Sequence, residues 1–390
     1  MNTGVAVGSA ITSSLLFVDD TFDLSFNEEE YLKSHENATV FGRMKKLLYS
    51  KKKCKTMAIN AKKGYTLPPL YIDDTKIQEV KEIEYLGDVI NSKGNNDSMI
   101  EDRVKRGYSA MIRVEALIKE ASLGVHTINV HLLLYNSLFV SCTTFNSQAW
   151  SNLSDKNINL LEVLQCKCLK RIVNAPQGTA NSFTYLEFGV LPLRYVIERN
   201  QLMFLHHILN LEDTDPVKVM WDNMKKFPDE GNWWNGVKKL LTKYEISLID
   251  VEEHSKETYK SMVKKKITEA AFKILKTECQ GKKKTETISY GSFKPQEYLS
   301  HLYPSQAQII FKSRSKTLAI KDHQQYKYDN KLCRRCGEED ETMEHVVNCQ
   351  NDEKLDSSIV YNMEDEMTYD TKLQLILITT RINDFIEEYK

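Results

Sequence analysis

Near its carboxyl end the chain carries LCRRCGEEDETMEHVVNC, which places Cys333, Cys336, His345 and Cys349 in a C-x2-C-x8-H-x3-C spacing. Three thiolates and one imidazole at this spacing suit tetrahedral Zn²⁺. Gly337 follows the second cysteine and permits the tight turn that a knuckle needs. Four protein ligands leave no open position, so we expect a structural zinc ion. The alternative is a chance grouping, but ligand type and spacing both favour a metal.

The rest of the 390-residue chain has a short β-rich start and a long helical continuation. ITSSLLFV, TFDLSF, CKTMAIN and EIEYLGDVI are typical of short strands, and apolar residues then recur at helical spacing up to an acidic helical tail. Residues 121–154 carry no charge, but polar side chains interrupt every apolar run before it reaches ~18 residues. We therefore expect a buried helix there and no membrane span. The predicted fold class is α+β, mainly α.

Charge is strongly segregated along the chain, although the formal net charge is only −1. Residues 43–55 carry seven basic side chains and no acid, and residues 256–284 carry ten lysines against three glutamates. Residues 336–370 carry twelve acids and one lysine. Basic stretches of this kind favour a polyanion as partner, while solvated helix faces are the alternative for any single run.

Two aspartate pairs stand in nearly the same local sequence, FVDDT at 17–21 and YIDDT at 71–75. Paired carboxylates can share Mg²⁺ when a tight turn between strands holds them rigidly. Asp19 and Asp20 have that context, because an apolar strand precedes them and an alternating strand and a helix follow. Asp73 and Asp74 follow Pro68-Pro69 and lie between LYI and KIQEV, which are also typical of short strands. A hairpin followed by a helix does not fit in the available length, so we expect this pair in an ordinary loop.

The order of these motifs resembles the carboxyl-terminal half of a non-LTR (LINE-type) retrotransposon reverse transcriptase. The motifs are SLLFVDDT, a basic helix, KKKCKTMAIN and KEIEYLGDVINSKG, followed by LLLYNSLFVSCTTFNSQAW, LEVLQCKCLKRIV and LEFGVLPLRYVIERNQLMFLHHIL. The likeness runs over about residues 5–350 and ends with the Cys/His element. One departure is Val18, at a position where alanine is usual in the family.

The resemblance implies a division into five consecutive segments. These are a partial palm of antiparallel strands at 1–95, a thumb-like helical domain at 96–210, a helical basic linker at 211–330, a zinc knuckle at 331–350 and an acidic tail at 351–390.

It also implies the roles of particular residues. Asp19 and Asp20 would be the catalytic Mg²⁺ ligands, and Tyr85-Leu86-Gly87 would be a primer grip. The side chains expected to contact the RNA and DNA of a template–primer duplex are Lys53, Lys55, Tyr85, Leu86, Gly87, Arg103, Arg106, Arg113, Lys167, Lys170 and Arg171.

A polymerase palm needs another metal-binding aspartate on an earlier strand, and no aspartate precedes Asp19. We therefore expect a fragment of an RNA-directed DNA polymerase, with the upstream polymerase segment missing and no activity by itself. The alternative is a zinc-containing RNA- or DNA-binding module without catalysis. The start, MNTGVAVGSA, lacks the basic region of a signal peptide, so the protein is expected inside the cell, in the nucleus or cytoplasm.

Weaker motifs are expected to be structural. His206-His207 lies on an apolar helix, and Cys166 and Cys168 cannot place both thiols on one helix face. Trp233-Trp234 could stack on bases, but an anchoring role in a core or loop is the favoured interpretation.

Overall fold

The computed structural model describes residues 5–7, 10–121, 123–151, 153–226, 232–363 and 367–389. Helices dominate this part of the chain, which confirms the predicted class, α+β and mainly α. The α-helices are α1 Glu28–Lys45, α2 Asp97–Glu120, α3 Thr127–Leu134, α4 Ser141–Thr143, α5 Asp155–Ile172, α6 Asn181–Phe188, α7 Leu193–Leu209, α8 Pro216–Met224, α9 Trp233–Lys243, α10 Leu248–Glu253, α11 Lys256–Gln280, α12 Tyr298–His301, α13 Pro304–Arg314, α14 Met343–Asn348 and α15 Tyr369–Glu388.

Shorter helical turns fill some of the connections. Four are 3₁₀ turns, at Gly124–His126, Ser147–Ala149, Gln325–Lys327 and Ser357–Val360. Between α3 and α4 the helix widens to a π turn over Tyr135–Val140.

The strands are short and pair two by two. They are β1 Val5–Val7, β2 Ala10–Thr12, β3 Ser14–Phe17, β4 Asp20–Asp23, β5 Lys55–Thr56, β6 Tyr71–Ile72, β7 Thr75–Lys76, β8 Gln78–Glu79, β9 Glu82–Tyr85 and β10 Asp88–Asn91. Four pairs are antiparallel, β1–β2, β3–β4, β6–β7 and β9–β10, whereas β5–β8 is parallel. Within the described residues each sheet has two strands, so a continuous palm sheet stays a prediction.

The chain divides into two compact units, each assembled from segments that are separate in sequence. The first unit comprises residues 1–103, 146–158 and 197–263, and the second comprises 104–145, 159–196 and 264–390. The five functional segments expected from the sequence are consecutive, and that division also stays a prediction.

The first unit has its core in its carboxyl-terminal part. Trp221 and Trp234 pack edge to face with ring centroids 5.6 Å apart. Trp233 is buried, and its Nε1–H donates to the carbonyl of Gln148 over 2.8 Å. Both tryptophans of the predicted pair are therefore core anchors. By contrast, Gly42 is the one buried residue between positions 12 and 69, so the β3–β4 hairpin and α1 add little to this core.

The core of the second unit contains a buried ion pair between helices α6 and α13. Arg314 Nη2 lies 2.9 Å from Glu187 Oε1, with both side chains at most 1% exposed. The hydroxyls of Tyr290 and Tyr298 donate to the same carboxylate over 2.6 and 2.5 Å. Arg314 Nη1 also donates to the carbonyl of Val360 over 2.6 Å. These bonds satisfy the two charges, which would otherwise be costly to bury.

The charge-free segment is helical over much of its described length, and one side of it is buried, so the predicted buried helix is confirmed in part. Ile128, His131, Tyr135 and Phe139 are all buried, and the rings of Tyr135 and Phe139 stack with centroids 5.3 Å apart. Across the described residues, every helix is either too short or too polar to cross a membrane.

Candidate metal and nucleic-acid sites

The four predicted zinc ligands converge on one point. Their Sγ and ring nitrogen atoms all lie within 4.8 Å of one another. Cys333 Sγ lies 3.9 Å from Cys349 Sγ, and Cys336 Sγ lies 3.3 Å from His345 Nε2. Zn–S bonds of ~2.3 Å at a tetrahedral centre give S···S edges of about 3.8 Å, so this cluster has the dimensions of a zinc site.

Local backbone geometry places these ligands. The amide of Cys333 donates to the carbonyl of Glu339 over 2.7 Å, and that of Gly337 donates to the carbonyl of Cys333 over 2.9 Å. Gly337 has φ 72°, the left-handed conformation predicted for the knuckle turn. The Thr342 side chain caps α14, accepting from the amide of His345 over 3.1 Å, and so orients the third ligand.

The polar surroundings favour a thiolate at Cys336 and fix the imidazole of His345. Amide groups of Glu338 and Glu339 lower the pKa of the Cys336 thiol to about 6, whereas burial raises the pKa of the Cys349 thiol to about 12. Glu339 Oε2 lies 3.0 Å from His345 Nδ1, which leaves Nε2 turned toward the sulfurs. A carboxylate on the far ring nitrogen is the usual support of a metal-binding histidine. Glu339 lies within the motif, but the spacing of the four ligands did not predict its role.

The acidic tail forms α15, which packs against the knuckle. Its residues Leu375, Ile378, Ile382 and Phe385 are fully buried. Arg335, between the first two cysteines, lies over the Phe385 ring at 4.9 Å and pairs with Glu388 over 2.7 Å. The tail is therefore helical, as predicted, and integral to the core beside the metal ligands.

Asp19 and Asp20 lie at the tip of the β3–β4 hairpin. Phe17 pairs with Asp20, so Val18 and Asp19 form the turn and Asp20 begins β4. Val18 is 93% exposed with φ 55°, a conformation unfavourable for a β-branched side chain. Val18 therefore occupies the strained position of the turn.

The hairpin of Tyr85-Leu86-Gly87 lies against this aspartate hairpin. The rings of Tyr85 and Phe22 have centroids 4.9 Å apart, and the Tyr85 hydroxyl donates to the carbonyl of Leu15 over 3.4 Å. Leu86 and Gly87 form the β9–β10 turn, and both have positive φ. The two motifs, 70 residues apart in sequence, thus form one surface of the first unit.

Arg103 supports this hairpin from behind. We expected Arg103 to contact nucleic acid, but its side chain is only 2% exposed. Its guanidinium donates to the carbonyl of Gly87 over 2.8 Å and pairs with Asp88. Asn146 donates to the other oxygen of that carboxylate over 2.7 Å. A contact between Arg103 and a phosphate would require breaking these bonds.

Lys170 on α5 is also buried, although it too was expected to contact nucleic acid. Its ammonium donates to the carbonyl of Gln177 over 2.7 Å and to the side chain of Asn181 over 2.8 Å. Arg171 forms a two-pronged ion pair with Glu115. The ring of Tyr108 lies 5.4 Å below the ammonium of Lys167.

The other predicted basic contacts lie nearer the surface. Lys53, Lys55 and Arg113 are exposed, and Arg106 is half-buried. Nucleic-acid contact stays a prediction for every residue of the set.

The second aspartate pair forms the turn of a hairpin where an ordinary loop was expected, and the strand β8 follows this hairpin in place of a helix. Asp73 and Asp74 are the turn between β6 and β7, with Ile72 paired to Thr75. Asp73 has φ 50°, and its carboxylate pairs with Lys51 over 2.9 Å. The turn is one residue out of step with that of the first pair.

The structure brings together the zinc ligands but no comparable set around either aspartate pair. Within the part of the chain that the structure describes, the Cys/His cluster is the one group of three or more ligand side chains close enough for a metal ion. Asp19 and Asp20 alone supply two carboxylates. Cys166 and Cys168 are buried, and burial raises the pKa of their thiols to about 11 and about 12, as befits structural cysteines.

No protein-family model matches the chain, and no curated protein matches it either.

Proposed function

We propose that the chain is part of a reverse transcriptase of the non-LTR retrotransposon type, with part of the palm, a thumb, a linker and a zinc knuckle. The observation that carries the proposal is the contact between the aspartate hairpin and the Tyr85-Leu86-Gly87 hairpin. In the resembled family these motifs are the catalytic turn and the primer grip. Phe22 and Tyr85 join them here, 4.9 Å apart.

The proposed roles follow from position. Asp19 and Asp20 would bind Mg²⁺, which supplies Lewis-acid stabilisation to phosphoryl transfer when bound. Leu86, which is 42% exposed at the tip of the neighbouring turn, would contact the primer strand, and Arg103 would hold that turn in place. Two carboxylates fit only half of a two-metal site, so catalysis requires a further carboxylate from outside the described residues.

Exposed apolar side chains near the aspartate pair also support the proposal. Leu16 is 74% exposed, Phe17 57%, Met44 74% and Leu48 99%. A hairpin and helix with so little burial are unstable in water unless another polypeptide surface covers them. A completed polymerase palm would supply that surface.

The test is primer extension by a fusion in which a related fingers-and-palm segment precedes Met1. The fusion should extend a primer, and Asp19→Ala or Asp20→Ala should reduce the rate by several orders of magnitude, because a metal ligand is lost. Asp73→Ala and Asp74→Ala are matched controls and should leave the rate nearly intact. If Asp73 or Asp74 proves essential while Asp19 and Asp20 do not, the assignment is wrong.

A second candidate function is a zinc-containing RNA- or DNA-binding module without catalysis. The observation that favours it is that the knuckle has a complete set of metal ligands, whereas the aspartate pair does not. Both functions predict salt-sensitive binding, because basic side chains such as Lys53 and Lys55 would displace counterions from phosphates. Affinity for a primer–template duplex that stays constant between low and moderate salt would contradict both, and primer extension separates them.

A further inference from the structure

The first unit contains an open cavity of about 570 Å³ that is distinct from the aspartate hairpin. Its walls are α7 and the connection from α10 into α11, and Gln148 closes one side. The volume lies within the ~300–1,000 Å³ typical of small-ligand sites.

Hydrogen bonds hold the two walls together before any ligand binds. The buried ring of His206, on α7, stacks on Tyr259 of α11 with centroids 4.9 Å apart. His206 Nε2–H donates to the carbonyl of His254 over 3.0 Å, and the Tyr259 hydroxyl donates to the carbonyl of Leu202 over 3.3 Å. His206 is therefore structural, as predicted, and what it builds is the wall of a preformed cavity.

The floor of the cavity suits a flat heteroaromatic ring. Phe204 and His207 lie nearly parallel, 30° apart with centroids separated by 6.0 Å. Trp233 supports Phe204 edge to face at 5.6 Å. His207 is exposed, so one face of its ring is open for stacking.

Amide groups and one cation complete the lining. Asn200 and Asn210 each use one amide N–H inside the unit, donating to Ser147 Oγ and to the carbonyl of His206 over 2.8 Å each. Within the part of the chain that the structure describes, their carbonyl oxygens and the side-chain amide of Gln148 have no protein partner and can pair with the polar edge of a ligand. Lys256 lies on the rim at the first turn of α11, where an anion is also favoured by the helix dipole.

We infer that this cavity binds one nucleotide unit, with the base stacked on His207 and the phosphate facing Lys256. Inorganic phosphate alone would leave the aromatic floor unused, and a purely apolar ligand would leave the amides and the ammonium unpaired. This assignment deepens the proposed function, on which it rests, because an unpaired nucleotide of a bound strand is one source of the ligand. A free nucleotide is the other source.

The experiment compares the full chain with three variants. The probes are adenosine monophosphate, a labelled oligodeoxyadenylate of about 12 nucleotides and an abasic oligomer of the same length. Binding is measured by calorimetry for the mononucleotide and by fluorescence anisotropy for the oligomers. His207→Ala removes the stacking face and Lys256→Gln removes the rim charge. Lys265→Gln is the matched charge control, because nine residues further along α11 place it on the opposite side of the helix.

We expect His207→Ala to weaken binding of the mononucleotide and the oligodeoxyadenylate by about tenfold, a typical loss for one base stack. Lys256→Gln should weaken both by up to about fivefold, because one exposed ion pair with the phosphate is lost. His207→Ala should leave the abasic oligomer unaffected, which a general loss of structure would not do. Lys265→Gln should change mononucleotide binding by less than about twofold.

The outcomes separate this inference from the proposed function. If the oligomers bind and neither His207→Ala nor Lys256→Gln weakens them or the mononucleotide, the cavity assignment is overturned while the proposed function stands. If the mononucleotide alone binds, and His207→Ala weakens it, the cavity serves a free nucleotide and the proposed function fails. Equal losses from Lys256→Gln and Lys265→Gln would also overturn the assignment.

Discussion

The two predicted metal sites lie in surroundings that differ in almost every physical respect. Around Asp19 and Asp20, from residue 12 to residue 69, Gly42 is the one buried residue. Around the knuckle, Cys333, Cys349 and the inward face of α15 are buried. The first region has an aspartate turn surrounded by exposed side chains. The second has four ligand side chains next to a packed core.

The contrast shows how each region obtains its stability. The knuckle gathers four ligands from a short segment, and α14 and α15 then bury apolar surface beside them. The aspartate hairpin has two short strands whose side chains are exposed, except for the half-buried Phe22 that packs against Tyr85. A two-stranded hairpin is only marginally stable by itself, so this region depends on contacts with another polypeptide surface. The knuckle region, by contrast, makes its stabilising contacts internally.

Removal of the metal should have the largest effect, and only on the knuckle region. We expect about one equivalent of zinc per chain by elemental analysis, with binding worth ~10–16 kcal/mol as in other structural sites. Cys333→Ser or Cys349→Ser should lose the metal and release α15, seen as lower helicity by circular dichroism and faster proteolysis after residue 350.

Cys142→Ser is the control, because Cys142 lies outside the cluster and should keep both zinc and helicity. Less than half an equivalent of zinc in the unsubstituted chain would remove the distinction between the two regions.

The same substitution should have unequal effects in the two regions. Leu375, on α15, is fully buried, and Leu375→Ala should lower the free energy of unfolding by ~2–5 kcal/mol. Leu16, in β3, is 74% exposed, and Leu16→Ala should change it by less than ~0.5 kcal/mol. Urea unfolding followed by circular dichroism measures both. A comparable loss from Leu16→Ala would mean that the hairpin is better packed than its exposure indicates.

A smaller effect is expected on acidification. His323 is buried near the knuckle, and its pKa is lowered to about 4. Burial is the main cause, and the charges of Lys316 and Lys284 act in the same direction, whereas the charge of Asp322 opposes them. The unfolded chain takes up the proton first, so stability falls as pH drops from ~6.5 to about 4 and then levels off.

The loss attributable to this group is at most on the order of 3 kcal/mol. Urea titrations at about pH 7 and about pH 4.5 should show a smaller difference for His323→Phe than for the unsubstituted chain. His131, whose pKa burial also lowers to about 4, should account for part of the remaining pH dependence. Identical differences with and without His323 would show that its ring is not buried in solution.

Local features of the sequence predicted the parts of the sites that are local in structure. The knuckle ligands and the β3–β4 turn each lie within a short segment, so spacing and strand pattern were sufficient. The strands beside Asp73-Asp74 were expected from LYI and KIQEV, but with two residues each they show no alternation that would predict their pairing as a hairpin.

Features that depend on distant partners could not be predicted from periodicity. The sequence pattern around Arg103 and Lys170 is that of surface cations. Their burial depends on hydrogen-bond acceptors elsewhere in the chain, which are Asp88, Gln177 and Asn181. Glu187 and Arg314 are 127 residues apart, and neither is unusual in its own segment. The cavity beside α7 likewise depends on the packing of the start of α11 against α7, which the sequence pattern of either helix does not predict.

The pairing of Arg335 with Glu388 has a practical consequence. It links Glu388, at the end of α15, to the loop between Cys333 and Cys336. A change at the metal site should therefore alter the surroundings of Glu388. A fluorophore attached beyond Glu388 would sense the arrival or departure of the ion without touching a ligand. A bulky affinity tag at the same place would interfere with the ion pair between Arg335 and Glu388. Protein purified through such a tag would then contain less zinc than the untagged chain.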